Sequence, residues 1–298
     1  MKFRTLSLCL LAGLFCCNAF AQDKDIVILY ENDAHGALDG YVKLAGLYDA
    51  IAKADTAYVG MVCVGDFVYG GKDNGLQSGK NVMEIMNAMP YDAVEIGNHE
   101  FDIDTETLLG LLSKFKAPVL CGNLTDTEGN HLLPTITYVR YGSKKIAYIG
   151  MLTPMGMMIQ RSSFYNGKDK IYDLHDEDYI VENLQKAADT AREQKADYVV
   201  MLAHIGEKFG GLSPKLIART SGIDAVLDGH SHSVIGQQMV ENKDGKAIPL
   251  TQTGIKFANI GKLVITADGR ISTELIPISE LEAYSNAGVK AIVEGIAQ

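Results

Sequence analysis

The sequence predicts an α/β fold in which mixed β-sheets are flanked by helices. In the first half, continuous apolar runs typical of buried strands alternate with segments of helical spacing, which is the rhythm of βαβ units and a parallel sheet. After Pro134 the pattern changes to short paired strands, and residues 234–278 read as a β-rich stretch. The sequence shows no internal repeat and no Pro/Gly/Ser-rich linker, so one domain at residues 22–298 is the simplest interpretation.

Each element is predicted from the spacing of its apolar residues. The strands are continuous apolar or β-branched runs, at residues 26–30, 58–64, 92–96, 118–121, 135–140, 144–151, 198–203 and 223–227. The helices repeat apolar residues every three or four positions, at residues 42–54, 80–89, 105–115, 177–194 and 279–296. Pro90 ends the second of these helices, because proline does not continue one.

The composition excludes several classes of protein and of partner. Of the 298 residues, 47% are hydrophobic and 21% are charged, which excludes disordered, collagen-like and coiled-coil chains. The 37 acidic residues outnumber the 27 basic ones, giving a net charge of −10. This charge repels a nucleic-acid polymer or an anionic membrane surface, so small molecules are the expected partners.

The first residues have the pattern of an export signal. A basic start precedes an apolar run at residues 6–15 and Ala19-Phe20-Ala21, which is typical of a cleavage site. We expect residues 1–21 to be removed and the mature chain to be secreted into the periplasm. The apolar run is too short to span a bilayer. A lipid anchor at Cys16 or Cys17 is the less favoured alternative, because Phe15 stands where a small residue is needed.

Cys63 and Cys121 are the cysteines that remain after this cleavage. Each lies within an apolar run that reads as a strand, which favours buried free thiols. A disulfide between them stays open as the alternative, since an exported protein meets an oxidising compartment.

Candidate metal ligands are concentrated in short segments that directly follow apolar runs. The segments are Asn32-Asp33-Ala34-His35, Gly65-Asp66, Gly97-Asn98-His99-Glu100-Phe101-Asp102, Ala203-His204 and Gly229-His230-Ser231-His232. They hold five of the seven histidines, a bias that is hard to obtain by chance. Because ligands bind outside the carboxyl ends of strands in open α/β sheets, we expect these segments to converge on one crevice.

Carboxylates and imidazoles in this arrangement suit a pair of divalent cations. Two such ions repel each other, so a carboxylate must bridge them, and Asp66 suits that position. Two aspartates would leave about two positive charges to be balanced by hydroxide and a phosphate group. Each segment alone could be a turn or a helix cap, and Asp102 could cap the helix predicted at residue 105. Taken together, the segments favour a metal site far more strongly than any one of them does alone.

These segments resemble those of the calcineurin-like metallophosphoesterase superfamily. The stretch from Ile28 to Gly36, the GNHEFD segment at residues 97–102 and the GHSH segment at residues 229–232 resemble the catalytic half of the secreted 5′-nucleotidase and UDP-sugar hydrolase family. The likeness runs over residues 26–278. It implies an αββα sandwich, in which two mixed β-sheets lie between helices.

The resemblance also implies a role for each residue. One metal would be bound by Asp33, His35, Asp66 and His232, and the other by Asp66, Asn98, His204 and His230. His99, oriented by Asp102, would approach the phosphoryl group, and Asn98 and His99 would contact the substrate. A metal-bridging hydroxide would attack in line. The two divalent ions could be Zn, Mn, Fe or Co, since His/Asp/Asn sites accept all four.

The resemblance leaves three functions open. The first is hydrolysis of phosphate esters of nucleotides, a 5′-nucleotidase-like activity in nucleotide catabolism. Relatives usually continue into a nucleobase-binding domain, which we expect to be absent from this chain. The second function is therefore that of a subunit that depends on a separately encoded substrate-binding domain. The third is hydrolysis of a different phosphoester or of a thiosulfate ester on the same fold.

Overall fold

The computed structural model describes residues 24–69, 71–208 and 212–297. The predicted signal peptide at residues 1–21, with Cys16 and Cys17, lies outside these ranges. None of the helices in the described ranges is long and apolar enough to cross a bilayer. Cys63 and Cys121 are buried free thiols, as the sequence favoured.

The elements alternate as predicted through most of the chain. The strands are β1 Asp25–Glu31, β2 Ala57–Val64, β3 Ala93–Glu95, β4 Val119–Leu120, β5 Leu124–Asp126, β6 Ile136–Tyr141, β7 Lys144–Leu152, β8 Tyr165–Asn166, β9 Asp169–Lys170, β10 Tyr172–Leu174, β11 Tyr198–His204, β12 Ala225–Asp228, β13 Val234–Glu241, β14 Ala247–Thr253, β15 Asn259–Ile265 and β16 Ile271–Pro277. The helices are α1 Asp39–Ala54, α2 Gly71–Asn87, α3 Thr105–Leu112, α4 Gly156–Ile159, α5 Arg161–Phe164, α6 Glu177–Glu193, α7 Leu212–Arg219 and α8 Ala287–Ile296.

Two six-stranded mixed sheets form the centre of the fold. The first has the order β16-β15-β1-β2-β3-β4, in which β1 to β4 are parallel, β15 is antiparallel to β1, and β16 is antiparallel to β15. The second has the order β13-β14-β12-β11-β7-β6, in which the four inner strands are parallel and both edge strands are antiparallel. The predicted fold class, two mixed sheets flanked by helices, is confirmed.

Alternate residues of the central strands face different layers of core. On β1, Ile28 packs between the two sheets, whereas Leu29 packs beneath α1, α2, α3 and α8. On β11, Leu202 faces the first sheet and Met201 faces α6 and α7. A strand that is buried on both faces must be apolar at every position, which explains the continuous runs in the sequence.

Several predicted boundaries are wrong. The helix predicted at residues 80–89 begins at Gly71, and the one predicted at residues 105–115 ends at Leu112. The closing helix does not start at residue 279, because residues 278–281 form a 3₁₀ turn and Asn286 caps the helix by accepting from the Val289 amide at 2.9 Å. The short helices α4, α5 and α7 were not predicted, since so few residues give no clear periodicity.

Asp92 links the two sheets through a hydrogen-bonded side chain. Its Oδ2 accepts from Tyr141 Oη on β6 at 2.7 Å and from the Met61 amide on β2 at 2.9 Å. Burial raises the pKa of Asp92 above its ordinary 3.8, although both hydrogen bonds act to lower it. Ionised Asp92 is therefore less favourable in the folded chain than in the unfolded chain.

We expect Asp92→Asn to gain stability relative to the natural chain as the pH rises. A carboxyl whose pKa is raised by folding contributes its full stability below 3.8, and this is lost as the pH rises through the folded pKa. The asparagine oxygen can accept both hydrogen bonds without ionising. Urea unfolding of both chains at pH 4 and pH 7.5 measures the difference. An equal difference at the two pH values would contradict the expectation.

Candidate dinuclear metal site

The predicted ligands come together at the carboxyl ends of parallel strands from both sheets. Asp33 and His35 follow β1, Asp66 follows β2 and Asn98 follows β3, all in the first sheet. From the second sheet, β11 ends at His204, and β12 is followed by His230 and His232. Because the carboxyl ends of parallel strands share one edge, these loops meet in one crevice, as expected.

Strained backbone conformations are concentrated in these loops. The described ranges contain nine non-glycine residues with positive φ, and five are predicted ligands: Asp33, His35, Asp66, His230 and His232. Such conformations cost free energy and cluster at functional sites, where the surrounding structure holds them. The turns at these strand ends thus aim the side chains back over the sheet edge.

Two glycines let the loops close around His204. A Cβ atom at Gly65 would lie 2.7 Å from His204 Nδ1, and one at Gly229 would lie 2.8 Å from the same nitrogen. Gly65 also has a φ of +80°, in the left-handed region. Side chains at these two positions would displace the imidazole.

The first group of potential ligands contains Asp33, His35, Asp66 and His232, whose donor atoms lie within 4.8 Å of one another. His35 Nε2 is 3.7 Å from Asp33 Oδ1 and 3.6 Å from Asp66 Oδ2. His232 Nε2 is 3.3 Å from Asp33 Oδ1 and 3.2 Å from His35 Nε2. Two carboxylates and two imidazoles therefore direct their donor atoms at one point.

The second group contains Asp66, His204 and His230, so Asp66 belongs to both. His204 Nε2 lies 3.2 Å from Asp66 Oδ2. The other nitrogen, Nδ1, lies 2.7 Å from the Val64 carbonyl oxygen, an acceptor that requires Nδ1 to carry a proton. This contact fixes the orientation of the ring and aims Nε2 at the shared carboxylate.

Each aspartate has one oxygen held by the protein and one directed at the histidines. Asp33 Oδ2 accepts from Asn32 Nδ2 at 2.6 Å and from the His230 amide at 2.9 Å, which leaves Oδ1 facing His35 and His232. Asp66 Oδ1 accepts from the His99 amide at 2.8 Å, which leaves Oδ2 facing His35 and His204. The carboxylates are thus oriented before any cation binds.

The charges and unused donor atoms of these residues fit divalent cations. Asp33 and Asp66 are buried, and within the described part of the chain no lysine or arginine forms an ion pair with either. Asn98 Oδ1 is buried without a hydrogen-bond partner among the same residues. Buried charges and polar atoms without partners are costly, and cations coordinated by them remove that cost.

The electrostatics of the two groups also favour a bound cation. Burial raises the pKa of Asp33, but hydrogen bonds from His232 and His35 and the charge of His204 outweigh it and hold the pKa well below the ordinary value. Burial lowers the pKa of His204, but the charge of Asp66 outweighs it and raises the pKa to about 10. The buried carboxylates therefore favour positive charge at His204, the position where a cation would bind.

His99 and Asp102 form a pair at the edge of the cluster. His99 Nδ1 lies 3.0 Å from Asp102 Oδ2 within a 3₁₀ turn at His99–Asp102, and its ring centroid lies 5.0 Å from that of His35. Burial lowers the pKa of His99, but the charge of Asp66 and the contact with Asp102 raise it overall. These contacts therefore favour the protonated form of the His99 imidazole beside the cluster.

Asp102 does not cap the following helix. The N-cap of α3 is Asp104, whose Oδ1 accepts from the Thr107 amide at 3.0 Å. The capping alternative for Asp102 is therefore wrong. Its other carboxylate oxygen, Oδ1, accepts from Gln160 Nε2 at 3.4 Å, a partner that the sequence did not indicate because Gln160 is 58 residues away.

Glu100 is a functional candidate to which sequence reasoning assigned no role. It is fully buried, and its carboxylate accepts from the Asp66 amide at 2.9 Å, from the Val68 amide at 2.8 Å and from the Gly97 amide. One side chain thus joins the loop after β2 to the loop after β3. The sequence did contain one signal for a role of Glu100, which is its place directly after Gly97-Asn98-His99.

We expect Glu100→Gln to weaken both the fold and metal binding. An amide has one acceptor oxygen for three backbone donors, and each buried donor left unsatisfied costs about 1–3 kcal/mol. Displacement of Asp66 would lower metal affinity ~10- to 100-fold, the usual effect of losing an outer-shell partner. Urea unfolding and metal titration measure the two effects. Glu106→Gln, at an exposed position on α3, is the matched control, and an equal response of both variants would contradict this role.

Asn32 and Asp228 also hold the site and had no predicted role. Asn32 donates to Asp33 and accepts from the Thr253 amide at 2.9 Å. Asp228 Oδ1 accepts from the Gly206 amide at 2.9 Å, which fixes the turn after His204. Both flank predicted ligands in the sequence, but their partners depend on contacts between distant loops.

The amino-acid sequence that forms these loops matches a known family. The sequence model of the calcineurin-like phosphoesterases matches residues 26–234, more than half of the chain. The chain belongs to the calcineurin-like phosphoesterase family. The match covers every predicted ligand, from Asp33 to His232. It also includes the His99–Asp102 pair.

Relatives and solved structures are similar over most of this chain. A snake venom 5′-nucleotidase from Naja atra is 25% identical over 282 residues, which cover 83% of this chain and 51% of the relative. The structure of a 5′-nucleotidase precursor from Thermus thermophilus matches with a TM-score of 0.77 at 21% identity, over 92% of this chain and 58% of the other. A sulfate thiohydrolase from the same organism matches with a TM-score of 0.76 at 19% identity, over 92% and 60%. The chain thus spans about half the length of the curated snake venom relatives it matches.

Proposed function

We propose that this calcineurin-like phosphoesterase is a secreted, binuclear metal-dependent hydrolase of the 5′-nucleotidase type, acting on phosphate esters of nucleotides. The observation that carries the proposal is that two groups of ligands share Asp66 beside the His99–Asp102 pair. The similarity to a snake venom 5′-nucleotidase supports the substrate class. The proposal includes removal of residues 1–21 on export into the periplasm.

The ligand sets follow from the two groups. We propose that one ion is held by Asp33, His35, Asp66 and His232, and the other by Asp66, His204, His230 and the buried Asn98 oxygen. When bound, two divalent ions such as Zn, Mn, Fe or Co supply positive charge to the phosphoryl oxygens and activate water. The crowded donor atoms around Asp66 suit cations that accept mixed nitrogen and oxygen ligands.

His99 acts on the substrate itself. Its Nδ1 donates to Asp102, so Nε2 is the atom that hydrogen-bonds to the phosphoryl group or protonates the leaving alkoxide. The raised pKa favours the protonated imidazole, the form in which Nε2 carries a proton. Asn98, the residue before His99 in the same loop, contacts the same phosphoryl group in this proposal.

Hydrolysis by residues 22–298, loaded with Mn²⁺ or Zn²⁺, tests the proposal, and it is measured as release of phosphate from a monoester, of phenol from an aryl diester and of sulfate from a thiosulfate ester. The substrates are AMP, an aryl phosphate diester and a thiosulfate ester. Efficient hydrolysis of AMP is the expected result. Cleavage of the aryl diester with little action on AMP would favour a subunit that needs a separate substrate-binding domain, and cleavage of the thiosulfate ester alone would favour that chemistry. No hydrolysis of any ester with metals bound would contradict a hydrolytic function.

A further inference from the structure

We propose that Tyr69 and Lys256 form a stacking surface for the base of the nucleotide substrate within this chain. The inference rests on the proposed function and names the part of the substrate that the metal site does not hold. Tyr69 lies three residues after the shared ligand Asp66. Lys256 lies in a distant loop that contacts the same part of the site.

Tyr69 presents an aromatic ring to solvent beside the metal ligands. The residues before it, Phe67 and Val68, are buried, whereas Tyr69 is 56% exposed. Its ring centroid lies 6.5 Å from that of His35, with the rings at 82°. The Tyr69 amide donates to Ser78 Oγ on α2 at 3.0 Å, which anchors the backbone. An exposed aromatic ring on an anchored backbone is available for stacking.

Lys256 forms the second part of this surface. Its amide donates to the Asp33 carbonyl at 2.8 Å, so its loop is fixed to the loop that carries two predicted ligands. Its Nζ lies 5.6 Å from the centroid of the Tyr69 ring, within the range of a cation–π contact.

The position of Tyr69 relative to the phosphoryl site fits a nucleoside. His35 neighbours both His99, at 5.0 Å between ring centroids, and Tyr69, at 6.5 Å. A phosphate held near His99 therefore has an aromatic ring within reach of the organic group attached to it. Every nucleobase has a π-face, so a single tyrosine favours substrates with a base without selecting one base strongly.

Equilibrium binding of adenosine to the full mature chain tests this surface independently of catalysis. Isothermal titration is run with adenosine on metal-stripped and Mn²⁺-loaded protein, for the natural chain, Tyr69→Ala, Tyr69→Phe and Met239→Ala. Tyr69→Ala is expected to weaken adenosine binding about 5- to 100-fold, the loss expected for one stacked base. Tyr69→Phe should retain the affinity. Met239, which is 51% exposed on β13, is the control for removing an exposed apolar side chain.

A kinetic comparison separates this inference from the proposed function. Tyr69→Ala should lower the ratio of kcat/KM for AMP to kcat/KM for ribose 5-phosphate, which has no base. Suppose that phosphate release continues. The role of Tyr69 would then be overturned if the natural chain does not bind adenosine, or if Tyr69→Ala changes neither the ratio nor adenosine binding. Absence of phosphate release from both esters would instead overturn the proposed function, and adenosine binding would still decide the role of Tyr69.

Discussion

Asp66→Asn is expected to lose metal and hydrolytic activity together. Asp66 Oδ2 faces His35 and His204, so one oxygen serves both groups of ligands. A neutral amide removes the negative charge that both cations share, and the loss of affinity should exceed the ~10- to 100-fold that an outer-shell partner costs. Metal content after dialysis and phosphate release, measured on the same preparation, give the two quantities.

Asp55→Asn is the matched control for this substitution. Asp55 pairs with Lys24 at the surface, at 2.6 Å, and should retain full metal content. If the Asp66→Asn chain keeps two metal ions, the assignment of Asp66 as the shared ligand is wrong. If it loses metal but keeps its activity, the hydrolysis does not depend on this site.

His99→Asn is expected to lower kcat while both metals stay bound. His99 is only half-buried and belongs to neither group of ligands, but it pairs with Asp102 and faces His35. Loss of a general acid or of a phosphoryl hydrogen bond typically costs ~10²- to 10⁴-fold in rate. Steady-state kinetics and metal analysis of the variant measure the two properties separately.

His131→Asn controls for the loss of an imidazole elsewhere, since His131 is exposed in a loop outside the site. It should keep both the rate and the metals. A fall in metal content in His99→Asn would show that His99 is a metal ligand, which contradicts a role confined to the phosphoryl group. An unchanged kcat would show that the His99–Asp102 pair has no part in the rate-limiting step.

The ligand cluster could be predicted from the sequence because strand order was not needed to do so. Asp33, Asp66 and His204 each lie within three residues of the end of an apolar run, and the carboxyl ends of parallel strands meet at one edge. The prediction therefore required only that the runs be parallel strands. The same reasoning gave mixed sheets flanked by helices, since strands buried on both faces are continuously apolar, whereas their number, two, was implied by the family resemblance.

The supporting residues could not be predicted, because their roles depend on contacts across the fold. Glu100 matters because it reaches the Asp66 and Val68 amides more than 30 residues away. Tyr69 matters because Lys256 and His35 lie beside it. The true helix cap, Asp104, differs from Asp102 by two positions, which is finer than sequence patterns place a helix start.

An anomalous-difference map from crystals of the mature chain grown with Mn²⁺ would show whether two cations share Asp66. We expect two peaks about 3.5–4 Å apart, the usual separation in two-metal sites. One should contact Asp33, His35 and His232, the other His204 and His230, and both should contact Asp66. A single peak, or peaks that do not share Asp66, would contradict the dinuclear site.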